Sequence, residues 1–431
     1  MPYFTHELHA LMAELSDWAD LRKEQGVPAR AVIRDVVRDL RRARTALKRM
    51  QPPEKLLRRE PDELEAIRAL RPEGPRRLWE RVERKTARDR IGGAWLGRAA
   101  GCTLGAPVEG WSVDHMEQLA KSCGMAFPPE SYWKNHPRPD DMHYGGSPTS
   151  AYLEGGVREV PVDDDLTYTV LGLLILERFG PDFTTADVGQ AWLDWLPVAC
   201  TAEHVALENL RKGIPAERAA EKDNPFEEWI GADIRSDPWG YAAPGWPERA
   251  AEMAYRDAWL SHRRNGVYGA MLFSAAIAAA FATGDPVEAV RIGLTEIPKT
   301  SRLAADMAWA FEVGPALPDW RAARAAVDER FAGMSTVHTN NNACLTLFGL
   351  MLGAGDFTRT IGVTVAMGLD NDCTAATAGS LFGAAHGVDA VDPAWRRPFR
   401  NRARTYLTGH EEWRNDDIVA RFLAIAEQAV R

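Results

Sequence analysis

Val160-Pro-Val-Asp-Asp-Asp-Leu-Thr-Tyr-Thr-Val-Leu-Gly-Leu-Leu-Ile-Leu176 sets three adjacent carboxylates at the mouth of a long apolar run. Gly368-Leu-Asp-Asn-Asp-Cys-Thr374 repeats the arrangement roughly two hundred residues later, ahead of a run of small residues. Adjacent carboxylates repel one another and lose hydration when partly buried, so they need cations or dispersal into water. Acids packed this way beside apolar helices suit a hard metal ion held by oxygen ligands. They also suit the first turn of two solvated helices, where aspartate caps free amides and meets the positive end of the dipole.

Working outward from these segments, apolar residues recur with period 3.6. The spacing predicts helices over 167–179, 185–196, 205–212, 247–261, 269–282, 286–296, 302–314, 342–352, 357–367 and 373–386. Asp182, Asp285-Pro286, Pro298 and Gly355-Asp356 fall between them as caps and breakers. Alternating strand patterns are nearly absent, so the fold class is all-α, an orthogonal multi-helix bundle.

The chain begins differently. From Arg22 to Arg90 basic residues exceed acidic ones by roughly ten. Helices are expected there over 5–24, 28–50, 62–69 and 75–86, the second stopped by Pro52-Pro53. Residues 1–87 therefore read as a basic helical N-terminal extension packed on a main domain over 88–431. The net charge of −9 argues against nonspecific nucleic-acid binding by the whole chain. No apolar run reaches about 18 residues, so no membrane association is expected; the longest, 270–282, reads as a core helix. Five cysteines without paired spacing, and no leader after Met1, point to reduced thiols and a cytoplasmic location.

Three segments together carry a resemblance. Arg90-Ile-Gly-Gly-Ala-Trp-Leu-Gly-Arg-Ala-Ala-Gly-Cys-Thr-Leu-Gly-Ala-Pro-Val-Glu-Gly110 resembles the opening helix and Pro-Val-Glu turn of the ADP-ribosylglycohydrolase family. Asp163 to Gly172 is similar to that family's Thr-Asp-Asp-Thr metal motif. Gly368 to Gly383 is similar to its Gly-Gly-Asp-Thr-Asp-Thr motif and the small-residue helix behind it. Order and spacing agree over roughly residues 88 to 425. The resemblance implies the same helical bundle, with two Mg²⁺ or Mn²⁺ ions gripping ribose hydroxyls.

Position by position, it implies Asp163, Asp164, Asp165, Asp370, Asp372 and Cys373 as metal ligands. Two departures stand out. Asp163 replaces the usual threonine, and Cys373 stands where a threonine oxygen is the usual ligand. A thiol is a poor ligand for Mg²⁺, so that coordination is altered, or Thr374 or water fills in. The resemblance implies catalytic roles for Glu109, Asp164 and Asp372, with Glu109 as ligand or acid/base; otherwise Pro107-Val-Glu-Gly110 is a surface turn. Asn265-Gly266-Val267-Tyr268-Gly269 is similar to a loop that cradles a diphosphate, since glycines admit close backbone approach and helix N-terminal amides favour anions. It equally fits an ordinary glycine-rich helix start. His338 and Asn341, in Val337-His-Thr-Asn-Asn-Asn342, cap a helix or contact a nucleoside. His143, Trp229, Trp239 and Trp246 are further candidates for an adenine or leaving-group wall.

The expected activity is metal-dependent hydrolysis of an ADP-ribosyl or related ribosyl N- or O-glycosidic bond, in a small-molecule or protein substrate. Two alternatives remain open from the sequence. One is a hydrolase of a nucleoside or NAD-derived metabolite; the other is a noncatalytic ADP-ribose-binding or structural relative. Retention of five clustered aspartates argues against the latter.

Overall fold

The computed structural model describes residues 3–429. Contacts divide the chain into two compact units: residues up to Arg58 with Glu329–Ser335, and Arg59–Asp328 with the chain from Thr336 onward. In the first unit helices run Tyr3–Glu24 and Arg30–Arg49, close to the predicted spans. Met50 turns extended ahead of Pro52-Pro53, which cannot continue a helix.

Helices also build the second unit. Among the described residues its strands are two short hairpins, Met142–His143 against Ser147–Pro148 and Arg402–Arg404 against Glu412–Arg414. The all-α bundle expected from the periodicity is the fold observed. Six helices position the site: α1 (Arg84–Gly105), α2 (Asp164–Phe179), α3 (Thr201–Arg211), α4 (Asn265–Thr283), α5 (Thr339–Gly353) and α6 (Asn371–His386).

The tightest pairing is α1 against α6. Gly93, Gly97, Gly101 and Gly105 recur every four residues and so share one face of α1. A Cβ at Gly93 would stand 2.6 Å from the Gly383 carbonyl oxygen, and one at Gly97 or Gly101 would collide with the Gly379 or Ala375 carbonyl. The two backbones therefore touch. Glycine costs about 1 kcal/mol per residue in a helix relative to alanine, and here contact between buried backbones offsets it. That contact brings the end of α1 beside the start of α6, which is where the acids sit.

At the centre lies α4, buried along almost its whole length. It extends past the predicted 269–282 and is long and apolar enough to cross a bilayer by composition. Since 89% of its most apolar window is buried inside the protein, it is a core helix.

The helix predicted over 75–86 does not form before Arg84. Leu78 and Trp79 both donate their backbone N–H to the Gly245 carbonyl (2.7 and 3.1 Å), and Arg76 reaches Glu296 at 2.8 Å. These tertiary partners hold the segment extended against local propensity. Helix α1 starts only where Glu83 caps it, accepting from Lys85 N and Thr86 N. Further upstream, Glu60 is buried between Asn265 Nδ2 (2.9 Å) and the Arg302 backbone N–H (2.7 Å).

Candidate active site

Three chain segments converge on one acidic cavity of about 160 Å³. A turn after α1 brings Glu109, the start of α2 brings Asp164 and Asp165, and the start of α6 brings Asp370 and Asp372. The turns are tied together, since Gly110 N donates to the Leu369 carbonyl at 3.1 Å. Leu369 itself has φ 65°, a left-handed conformation costly for a branched side chain, and Asn342 Oδ1 of α5 accepts from Asp370 N at 3.2 Å. Asp163 is partly a helix cap, accepting from Asp165 N at 3.0 Å.

The carboxylates form two groups. The side-chain ligand atoms of Glu109, Asp370 and Asp372 lie within 4.8 Å of one another, and so do those of Cys102, Asp163 and Asp165. Asp164 lines the cavity beside both. Cys373 joins neither group: it is buried, and Thr374 Oγ1 donates to the Asn371 carbonyl at 3.5 Å. The cysteine within reach of the aspartates is Cys102, which local motif reading misses because it lies inside α1. Its thiol is pushed well above the ordinary range by burial and by Asp163, Asp165 and Asp372. A protonated thiol is a weak ligand for a hard ion, so the donor set remains one of oxygens.

One cation reaches the cluster from behind. Arg98, fully buried, pairs with Asp165 at 2.8 Å and Asp237 at 2.7 Å, and donates from Nε to Thr169 Oγ1 at 3.0 Å. The sequence reading did not single it out; a lone arginine in a run of small helical residues was the available signal. It does not balance the site. Burial and then Asp164 raise Asp163 well above the ordinary carboxylate range. Burial raises Asp165 well above it too, with Arg98 pulling the other way. Asp372 is raised by burial, Glu109 and Asp370, and Asp370 reaches about 6, chiefly through burial. Glu109, although its side chain reaches solvent, is raised by its crowded surroundings and by Asp370, Asp164 and Asp163. Asp163 Oδ2 and Asp372 Oδ1 are buried and accept no hydrogen bond from the described residues. Hard oxygen donors, surplus negative charge and orphaned buried oxygens fit bound divalent cations.

Opposite the acids, α3 supplies Glu203, which the sequence reading did not single out. Its carboxylate meets Arg235 Nη1 at 3.0 Å and burial pushes it up to about 7. Tyr144, Tyr168 and Trp229 complete that wall. Trp239 and Trp246 do not reach it: the first packs on Phe183 in the core, and the Arg77 guanidinium covers the second.

The three residues expected to be catalytic, Glu109, Asp164 and Asp372, thus share one cavity. The expected substrate loop does not line it. Asn265, Gly266, Val267, Tyr268 and Gly269 are buried at the start of α4. Asn265 donates to Glu60 and Glu228 and accepts from Leu303 N at 3.0 Å, and Tyr268 OH donates to the Pro61 carbonyl. Thr339 packs against Gly269. His338 caps α5, accepting from Asn340 N at 3.2 Å, while Asn341 Oδ1 accepts from Asn342 N at 3.0 Å. Their neighbour Val337 does line the cavity.

The fold and site define an all-α bundle that carries an acidic, oxygen-lined cavity at its helix starts. A family model described as ADP-ribosylglycohydrolase matches residues 83–428. The chain belongs to the ADP-ribosylglycohydrolase family. A solved structure titled "ADP-ribosylglycohydrolase-related protein complex" aligns with TM-score 0.53 and 21% identity, over 80% of this chain and 99% of that one. That likeness concerns the fold. No curated protein matches the chain.

Proposed function

We propose that the chain is a hydrolase that uses two divalent cations, Mg²⁺ or Mn²⁺, to cleave an ADP-ribosyl or related ribosyl glycosidic bond. The observation that carries this reading is the convergence of Glu109, Asp370 and Asp372 with Asp163, Asp164 and Asp165, compensated by too few protein cations. Asp163, Asp164 and Asp165 would hold one ion; Asp370, Asp372 and Glu109 would hold the other. When bound, such ions supply positive charge and oxygen-binding centres for a vicinal diol and a water molecule.

The remaining work falls to the chain. The Asp165 carboxylate is fixed by Arg98, and the Asp370 backbone N–H donates to Asn342 Oδ1, which holds the start of α6 in place. Tyr168 and Trp229 close the opposite wall and exclude bulk water. Glu109 stands at the open rim, where its carboxylate takes a proton from the attacking water as the oxygen bonds to the anomeric carbon. The electron pair of the broken glycosidic bond leaves with the departing group, which then receives that proton. General acid–base groups of this kind contribute about 10²–10⁴-fold to turnover.

The test is hydrolysis of an ADP-ribosylated substrate with and without chelator, together with calorimetry of ADP-ribose. Activity should vanish on chelation and return with Mn²⁺ or Mg²⁺. Glu109→Gln should lose about 10²–10⁴-fold in turnover while still binding ADP-ribose. Chelator-resistant hydrolysis, or a Glu109→Gln enzyme of normal rate, would refute the assignment.

A further inference from the structure

Beyond Glu109 the acidic cavity continues. Glu109 and Tyr144 also line a second cavity of about 320 Å³, which includes Trp111, His136, Arg138 and His143. Trp111 and Arg138 in turn border a third of about 680 Å³ that includes His115 and Gln118. A path therefore leads from the carboxylates, past Glu109, to a wall whose chemistry is unlike theirs.

That wall is built. The Trp111 and His136 rings lie 5.2 Å apart at 40°, and His115 meets Trp111 edge-on at 6.4 Å. His136 is only 7% exposed, and its Nδ1 accepts the Arg138 backbone N–H at 3.2 Å. A ring accepting at Nδ1 carries its proton on Nε2. Nε2 is buried and has no hydrogen-bond partner among the described residues. A buried donor left unpaired costs roughly 1–3 kcal/mol, so one kept beside a cavity points to a ligand acceptor.

The charges decide which ligand. Past Glu109 the cavity presents Arg138 and two histidines, and its one further carboxylate, Asp141, lies 3.5 Å from Arg138. His143 is held below its usual range, chiefly by burial. A guanidinium leaving group would face Arg138 without a free carboxylate to meet it. A small hydroxyl leaving group would touch neither Trp111 nor His136. A flat, uncharged ring with an acceptor atom satisfies both.

We propose that the cavity between Glu109 and Trp111 is the leaving-group subsite and takes a neutral planar heteroaromatic base, stacked on Trp111 and hydrogen-bonded by His136 Nε2–H. This rests on the reading that Glu109 stands at the cleaved bond. Water then adds its oxygen to the anomeric carbon, the carbon–nitrogen bond breaks, and its electron pair goes to the base. One water proton passes through Glu109 to the departing nitrogen, giving free base and a ribosyl hemiacetal. The His136 hydrogen bond strengthens as negative charge develops on the base, so it favours the transition state.

The experiment uses the full chain with Mn²⁺ and compares two substrates, diadenosine diphosphate (an ADP-ribose bearing adenine as a neutral leaving base) and ADP-ribosyl-agmatine (a guanidine leaving). Trp111→Ala should lower kcat/KM on diadenosine diphosphate about 10–100-fold, the range of one lost base stack, and change the agmatine substrate far less. Arg138→Glu, at an exposed position, should raise the agmatine-to-diadenosine-diphosphate ratio of kcat/KM about tenfold. Equal losses on both substrates in Trp111→Ala, an unmoved ratio in Arg138→Glu, or a wild-type preference for the agmatine substrate would overturn the subsite. ADP-ribose affinity by calorimetry separates the two levels of argument. ADP-ribose carries no leaving group on its terminal ribose, so failure of the wild type to bind it strikes the glycohydrolase reading, whereas binding with the wrong leaving-group preference strikes only this one.

Discussion

Replacing Arg98 by methionine tests how the acidic site is supported from within the core. The guanidinium is fully buried and serves two carboxylates, Asp165 at 2.8 Å and Asp237 at 2.7 Å, besides donating to Thr169 and to the Ile234 carbonyl. Methionine keeps most of the volume, so little of the loss is a cavity. What is lost is a buried cation, and removing one partner of a buried pair costs about 3–5 kcal/mol because the other charge stays behind. In a chain of this length, with an unfolding entropy of about 0.9 kcal/mol/K, that corresponds to a fall in Tm of about 3–6 °C.

The sign with pH follows from the same contacts. Asp165 is already raised by burial, and Arg98 is the group holding it down. Without Arg98 its folded-state value climbs further, so the carboxyl adds stability while protonated and loses it as pH rises. The deficit of Arg98→Met should therefore be largest near pH 8 and shrink toward pH 5. Urea unfolding of the chelator-treated protein at both pH values measures it. A second substitution, Asp237→Asn in the Arg98→Met background, should return at least about 1 kcal/mol by removing one stranded charge. A loss within about 0.5 kcal/mol, the range of surface substitutions, or a deficit that grows at low pH would refute the assignment of Arg98 as the counter-charge.

Two further outcomes follow from the site. Cys373→Ser and Cys102→Ser should each leave Mn²⁺ affinity within about a few-fold, because Cys373 joins neither acidic group and the Cys102 thiol, raised by burial and by Asp163, leaves the donor set to oxygens; calorimetric titration of both variants reads this directly. The metal-free protein should melt higher at pH 5.5 than at pH 7.5, since Asp370, at about 6, and its neighbours contribute stability while protonated and lose it as pH rises through that value. The added stabilisation by Mn²⁺, followed by thermal unfolding, should run oppositely and fade below about pH 6.

The carboxylates were legible as clusters because each borders an apolar helix, although solvated helix starts fitted the same pattern and only the folded chain shows Asp163, Asp165 and Asp372 buried. The α1 glycines were legible as a motif, but not as a contact. Only the partner carbonyls of Ala375 and Gly379 explain why nothing larger than hydrogen fits. Arg98 and Cys102 were missed because both lie inside α1 among small residues, and their roles depend on residues more than sixty positions away. The glycine-rich start of α4 has the local composition of an anion cradle. Its Asn265 is instead occupied by Glu60, a partner 205 positions upstream. Residues 75–83 failed as a helix for a similar reason, since Gly245 fixes their backbone. Local pattern located the acids; long-range partners decided what surrounds them.

The charge at the site sets what must accompany these acids. Asp163, Asp164, Asp165, Glu109, Asp370 and Asp372 bring six carboxyl groups to two helix starts and one turn. Each helix N-terminus offers about half a positive charge, so α2 and α6 together supply about one. Arg98 supplies at most one more, and it is shared with Asp237. Were every acid ionised, about four negative charges would remain in a confined cavity, where like charges a few ångströms apart cost several kcal/mol each even at an effective dielectric of about 20. The metal-free protein meets this by holding protons, which is why burial and mutual repulsion push the group upward together. Two divalent cations carry four charges, the amount left over. Binding them must expel the retained protons, so proton release on Mn²⁺ addition, counted by calorimetry in buffers of different ionisation enthalpy, measures the imbalance that the acids of α2 and α6 create.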